Sequence, residues 1–267
     1  MGPMQKGMSR FPDRVLFAVA ALIYLFLYAP IAVLMLFSFN SANSTQVWEG
    51  FSLEWYGDLA TNQSVLDAFR ISMIVGVSST AIATVIGTLA ALALTRHRFL
   101  GKSVADSTIY AATVMPEIVV GVSLLAFFVS VQFGLGITTI IVAHVAFSIS
   151  FVTIVVRARL SGMDRSLEEA AQDLGANPVS TFLRVTLPLI LPGVMAGALL
   201  AFTLSFDDFV ITFFVAGVGS STLPLKIYSM IKFGVSPVIN ALSTVVLVAT
   251  VILIFGGSRI LTRRENA

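Results

Sequence analysis

Apolar residues in this chain run in long blocks instead of alternating in twos or recurring in threes and fours. Six stretches stand out: about 15–39, 68–94, 107–131, 136–156, 189–215 and 239–261. Each meets the roughly 20 mostly apolar residues that a helix needs to cross a hydrocarbon core. A backbone in lipid must satisfy its own hydrogen bonds, so runs of this length predict helices. The first run follows Lys6, Arg10 and Arg14, as the core of a signal peptide would. It exceeds the 7–15 apolar residues usual there, and no small-residue cleavage pattern follows it, so it is expected to remain as a first helix. The longest connection between them is 157–188.

Composition agrees with the pattern. Hydrophobic residues make up 57% and charged residues 11% of the 267, against roughly 45–50% and about 25% in soluble domains. So little charge could not cover the surface of a soluble fold. The mean hydropathy is +0.95. The chain has no cysteine, which excludes disulfides, zinc–thiolate sites and iron–sulfur clusters. A net charge of +2 gives no reason to expect nucleic acid.

The positions of the charges say more than their sum. Lys6, Arg10, Arg14, Arg96, Arg98, Lys102, Arg157, Arg159, Arg165, Arg184, Arg259, Arg263 and Arg264 fall in alternate connections and at both ends. Arg70, Lys226 and Lys232 lie on the other side, whose first loop carries Glu49, Glu54, Asp58 and Asp67. The excess of Lys and Arg on cytoplasmic loops then predicts that both termini are cytoplasmic.

The 157–188 connection reads as a helix–turn–helix at the cytoplasmic surface. Ser166-Leu-Glu-Glu169 fits a capping box with Ser166 as N-cap, and Gly175 stands where a left-handed C-cap belongs. Pro178 suits the first turn of a second short helix, which Leu187-Pro188 is expected to end. Its spacing is Glu169-Ala170-Ala171, three residues, Gly175, nine residues, then Val185-Thr186-Leu187-Pro188. This is similar to the EAA motif of ABC-importer permeases, with Val185 where that family usually has Ile. Ser205-Phe-Asp-Asp-Phe-Val-Ile-Thr212, Ser221-Thr-Leu-Pro-Leu-Lys-Ile-Tyr-Ser-Met230 and Phe233-Gly-Val-Ser-Pro-Val-Ile-Asn-Ala-Leu-Ser-Thr244 resemble the spermidine/putrescine importer permeases of PotC/PotI type.

That resemblance implies an all-α, six-span permease of the type I ABC importer (MetI-like) fold, a single transmembrane domain over 1–267 in a bacterial inner membrane. It implies a second, related permease, two cytoplasmic ATPase subunits and a periplasmic polyamine-binding protein as partners. No cofactor is expected in this chain, ATP and Mg²⁺ being used by the ATPase. Glu169, Ala170, Ala171, Gly175, Leu187 and Pro188 would form the coupling loop that receives the ATPase's movement.

Ionisable groups inside the spans mark pathways or pairings. Asp207 and Asp208 lie in the fifth span, where Gly193, Gly197, Ala201 and Ser205 form a small-residue face that continues through Asp208 and Thr212. Such a stripe serves close helix packing or a seam between two permeases. On a continuous helix Asp208 is expected to matter more for substrate than Asp207. Glu117, after Pro116 in the third span, fits either a kink lining a cavity or a helix–helix contact. His144 reads as a packing histidine with its hydrogen bonds satisfied. Gly101-Lys102-Ser103 lacks the first glycine of a phosphate loop, and the sequons at Asn43 and Asn62 matter only in a eukaryotic secretory setting. The abundant Phe reads as packing and lipid-facing residues. Two other readings stay open: an importer of another small solute, or an ion-coupled secondary transporter, which would leave the EAA loop unexplained.

Overall fold

The computed structural model describes residues 13–43, 47–233 and 236–265, with side chains described over 15–43, 47–232 and 236–252. Lys6, Arg10, Ser44, Thr45, Gly234 and Val235 lie outside the described residues, as do the side chains of Arg14, Arg259, Arg263 and Arg264. The helices are α1 (Asp13–Phe37), α2 (Glu54–Thr61), α3 (Gln63–Arg96), α4 (Lys102–Val114), α5 (Glu117–Ser130), α6 (Ile137–Ser161), α7 (Ser166–Asp173), α8 (Pro178–Thr181), α9 (Leu187–Asp207), α10 (Val210–Val215), α11 (Leu223–Phe233) and α12 (Pro237–Glu265). A π-helical segment, Phe182–Thr186, joins α8 to α9.

The fold is all-α, as expected, and the spans differ from six simple rods. Val15–Phe37, Gln63–Arg96, Ile137–Ser161 and Pro178–Asp207 are each long and apolar enough to cross a bilayer. The third expected span, 107–131, is instead the pair α4 and α5, bent by 113°. Pro116 causes the break: it has no N–H to donate and pushes Met115 out of the helical region, to φ −63° and ψ 132°. The fifth, 189–215, starts earlier and breaks at Asp208, which is extended at φ −65° and ψ 124°. Leu187-Pro188 does not end a helix. The chain stays helical from Pro178 to Asp207, and the π turn just before Pro188 re-spaces the hydrogen bonds that a proline disrupts. For the sixth, 239–261, α12 is helical throughout, and its described apolar stretch is Pro237–Ile252.

The chain forms two compact units, 1–62 with 230–267, and 63–229. In the first, the loop after α1 is organised around Asn40. Its carbonyl accepts from Trp55 Nε1 at 2.6 Å, its Nδ2 donates to the Val47 carbonyl at 2.6 Å, and its Oδ1 accepts from the Glu49 N–H at 2.9 Å. Phe39, Leu53 and Tyr56 face Val245, Val248 and Ile252 of α12 across an apolar cavity of about 440 Å³.

The second unit is built on α3, α6 and α9. Close approach sets their packing. A Cβ on Gly87 of α3 would stand 2.8 Å from Val152 Cβ and 3.1 Å from the Ile149 carbonyl of α6. A Cβ on Gly193 of α9 would stand 2.7 Å from Arg159 Cβ, and one on Gly197 3.4 Å from Val152 Cγ1. The small-residue face of the fifth span therefore packs against α6, the closer-packing alternative of the two. Apolar side chains collect in two clusters. Val75, Phe128, Ile140, Ala143, Ile211 and Val215 form one, and Ala91, Val152, Val156, Leu160, Ile190 and Ala201 the other.

Gly87→Leu is expected to destabilise the purified protein by about 1–3 kcal/mol, the usual range for overpacking. Gly57, whose Cβ would meet nothing within 4 Å, is the control, and Gly57→Ala should leave the detergent-solubilised melting temperature unchanged or raise it.

Candidate functional site

Between the two apolar clusters, along all three helices, lies a buried polar network. Ser79 of α3 and Ser205 of α9 share a hydrogen bond at 2.9 Å, and Ser205 Oγ lies 2.7 Å from His144 Nδ1. His144 Nε2 is 3.2 Å from Asp208 Oδ2 and 3.0 Å from Thr212 Oγ1. The Thr212 hydroxyl donates its own proton to Asp208 Oδ2 at 2.8 Å. Nε2 thus faces two acceptors and must itself carry a proton, an assignment made from the network.

Asp208 also accepts from the backbone N–H of Ile211 at 3.2 Å and of Thr212 at 2.8 Å. Its short side chain competes with the helical backbone for those donors, which ends α9 and starts α10. Four donors roughly fill the acceptor capacity of a carboxylate, and the side chain is 8% exposed. Three of the donors fall on Oδ2 and one on Oδ1. The continuous helix expected through Asp208 and Thr212 does not form, yet both residues meet across the break.

Asp207 and Glu117 are placed differently. Both are exposed, Asp207 at the last turn of α9 and Glu117 at the first turn of α5. Among the described residues neither side chain makes a hydrogen bond or ion pair. Glu117 lies within electrostatic range of both Asp207 and Asp208, so the structure brings the three acids together. Next to Asp208 in the chain, Phe209 packs against Tyr228 with tilted rings, centroids 4.7 Å apart, and against Phe213 at 5.6 Å, also tilted. The abundant Phe gave no local sign of this group; Phe209 and Phe213 are helical neighbours four apart, and Tyr228 comes to them from α11.

At the Arg-rich end of the unit, α7 and α8 form the expected surface element, with different caps. Ser166 opens α7 and does not cap it; Asp164 Oδ1 accepts its N–H at 2.9 Å. That bond holds the Asp164 carboxyl below its ordinary value. Gly175, at φ +90°, closes α7 through a two-bond C-cap, Ala176 N–H to the Ala171 carbonyl at 3.1 Å and Gly175 N–H to the Gln172 carbonyl at 2.9 Å. Asn177 Oδ1 caps α8 through the Ser180 N–H at 2.8 Å, with Pro178 in its first turn.

Adjacent glutamates divide here. Glu169 points outward, its side chain 68% exposed and 3.7 Å from Arg165. Glu168, which the motif does not single out, turns inward. Its Oε2 lies 3.0 Å from Arg96 Nε and its Oε1 accepts from the Thr186 hydroxyl at 2.7 Å. Ala170 lies on the outer surface with Leu167, Leu174, Val179 and Leu183, an exposed apolar patch on a polar end of the molecule. Ala171 and Leu187 are half-buried, and Pro188 is exposed at the start of α9. Arg157 of α6 pairs with Asp106 of α4 nearby. Among the described residues no group of three His, Asp or Glu could hold a metal ion.

This architecture, broken helices around a polar network with a capped element outside, is the fold of ABC-importer permeases. It matches a chain of a bacterial ABC transporter that imports the acidic polysaccharide alginate with a TM-score of 0.77 at 15% identity, over 97% of this chain and 99% of that one. A chain of the inward-facing MetNI methionine ABC transporter matches with a TM-score of 0.61 at 19% identity, over 80% and 99%. Residues 83–264 match the family of binding-protein-dependent transport system inner membrane components, and the chain belongs to that family. It is 41% identical over 264 residues to the putrescine transport system permease protein PotI of Escherichia coli (strain K12), 96% of this chain and 93% of that one. It is 40% identical over 259 residues to the spermidine/putrescine permease protein PotC of Haemophilus influenzae (strain ATCC 51907 / DSM 11121 / KW20 / Rd), 97% and 100%. The chain is thus a multi-pass membrane component of a transport system and not an enzyme.

Removing one partner of a buried hydrogen bond leaves the other group unsatisfied, at about 1–3 kcal/mol and more where that group is charged. His144→Leu and Asp208→Leu should each lower the melting temperature strongly, and the double variant should lose less than the sum of the two. An additive cycle would show that the two groups do not interact.

Proposed function

We propose that this chain is the permease subunit of an ATP-driven importer of polyamines, and that Asp207 and Glu117 line the substrate path. The carrying observation is a pair of unneutralised carboxylates at two breaks in apolar helices, beside the Phe209 and Tyr228 rings. Protonated amines leaving water need fixed negative charge or aromatic faces in exchange, and an acid in a low-dielectric wall attracts them more strongly than one in water. An exposed carboxylate with free lone pairs serves this better than Asp208, which is occupied in holding α9, α10 and α6. The cargo of the 40% identical relatives supports the same reading.

The outward face of α7, with Glu169, Ala170 and the leucines beside it, is the contact for a cytoplasmic ATPase, which supplies ATP and Mg²⁺ chemistry that this chain lacks. A short helix capped at both ends transmits a push that a loose loop would absorb. A second, related permease and a periplasmic polyamine-binding protein complete the assembly, in an inner membrane with both termini cytoplasmic.

ATP-dependent uptake of radiolabelled putrescine and spermidine into proteoliposomes holding the full complex tests the cargo. Asp207→Asn should cut uptake at subsaturating polyamine by roughly tenfold, about 1.4 kcal/mol, with assembly intact. ATP hydrolysis without uptake of either amine would reject the polyamine reading. Orientation is checked separately with single cysteines at Thr61 and Asp173, both exposed. In intact cells an impermeant thiol reagent should reach only the first, and labelling of both would overturn the assigned topology.

A further inference from the structure

We propose that Glu168 is the strut of the coupling element, a positioning residue that makes α7 move as one body with α3 and with the start of α9. The inference rests on the reading of α7 as the ATPase contact. The two carboxylate oxygens of Glu168 hold two different elements: Oε2 takes Arg96, the last residue of α3, at 3.0 Å, and Oε1 takes the hydroxyl of Thr186 at 2.7 Å. The Arg96 and Glu168 side chains are 13% and 12% exposed, so salt screens the pair little.

Desolvating two charges offsets much of their attraction, so a buried pair of this kind is poorly explained as a source of stability. What Glu168 supplies is a fixed position. Its ion pair with Arg96 holds a distance without a hydrogen bond at Arg96 Nε, and the Thr186 hydroxyl's bond to its carboxylate fixes distance and angle. Both attachment points suit a lever. Arg96 ends a continuous helix of 34 residues, about 50 Å long at 1.5 Å per residue, so displacement of its end moves a long rigid body. Thr186 is the last residue of the π segment, where the helix has given up its regular hydrogen-bond spacing and gains most from an outside tie. Glu169, one residue on, is exposed and only loosely paired with Arg165 at 3.7 Å, and so is open to the ATPase. The neighbouring glutamates therefore do different work, one receiving the push and the other passing it on.

The test uses the full complex in proteoliposomes, scored as polyamine taken up per ATP hydrolysed. Glu168→Gln and Arg96→Gln should each lower that ratio by at least about fivefold while hydrolysis continues. The double variant should fall no lower than the worse single one, as expected for residues acting through one contact. Wild-type ratios, or losses that add in the double variant, would overturn the strut. If the Gln variants fail to assemble, Thr186→Val decides: a lowered ratio supports the strut and an unchanged one rejects it. A readout independent of cargo separates this proposal from the polyamine reading. With spin labels at Arg98 and Asp173, the α3–α7 distance should stay narrow in resting and vanadate-trapped wild type and broaden in Glu168→Gln. An equally narrow distribution in that variant rejects the strut, even if the cargo proves not to be a polyamine.

Discussion

A charge placed among apolar helices must find partners, and in this protein Asp208 finds four of them at one point. Its carboxylate gathers two backbone N–H groups of α10, the Thr212 hydroxyl and His144. Through His144 and Ser205 the same point reaches α6, α9 and the Ser79 hydroxyl of α3. The bond set that ends one helix and starts the next thus also registers the three helices on which the unit is built. Close approach at Gly87 and Gly193 sets how near these helices lie, and the network adds directional bonds between them.

That arrangement has a consequence for the acids around it. Asp208 is buried and hydrogen-bonded to α10 and α6, while Asp207 stays exposed at the end of α9. The same break that consumes one carboxylate presents the other. Glu117 reaches the vicinity by a parallel device, since Pro116 interrupts the third span just before it. Two interruptions in apolar helices, one made by a side chain and one by a proline, bring acidic groups to the same region. Broken helices with polar groups at their ends are how membrane proteins build sites at depth without leaving backbone unsatisfied against lipid.

At the Arg-rich end the constraint is mechanical. α7 is only eight residues long and would be marginal alone. Asp164 holds its first turn, Gly175 closes its last, and Glu168 ties its inner face to α3 and to the π segment. Its outer face carries exposed Leu167, Ala170 and Leu174 beside the exposed Arg165–Glu169 pair.

Much of this was legible in the sequence because lipid and backbone geometry impose strong local rules. The long apolar runs gave helices, Gly175 stands where only a left-handed residue closes the cap, and Pro178 opens a helix as its missing N–H allows. His144, on an apolar helix, was expected to have its hydrogen bonds satisfied, and Ser205, Asp208 and Thr212 satisfy them. The bend after Met115 was foreshadowed by Pro116. Other features depended on contacts between residues far apart in the chain. No Pro or Gly announces the break at Asp208, which forms because its carboxylate turns back to α10 and meets a histidine 64 positions away. Nothing local separates Glu168 from Glu169; which of them turns inward is decided by the rotation of α7 against Arg96, 72 positions earlier. Apolar length and the backbone dihedrals of Gly175, Pro178 and Pro116 are short-range matters, so the chain itself set where helices could form and where those residues close, open or bend one. The tertiary structure alone decided which charges are paired and which stay free, because that depends on what the other helices bring within 3 Å.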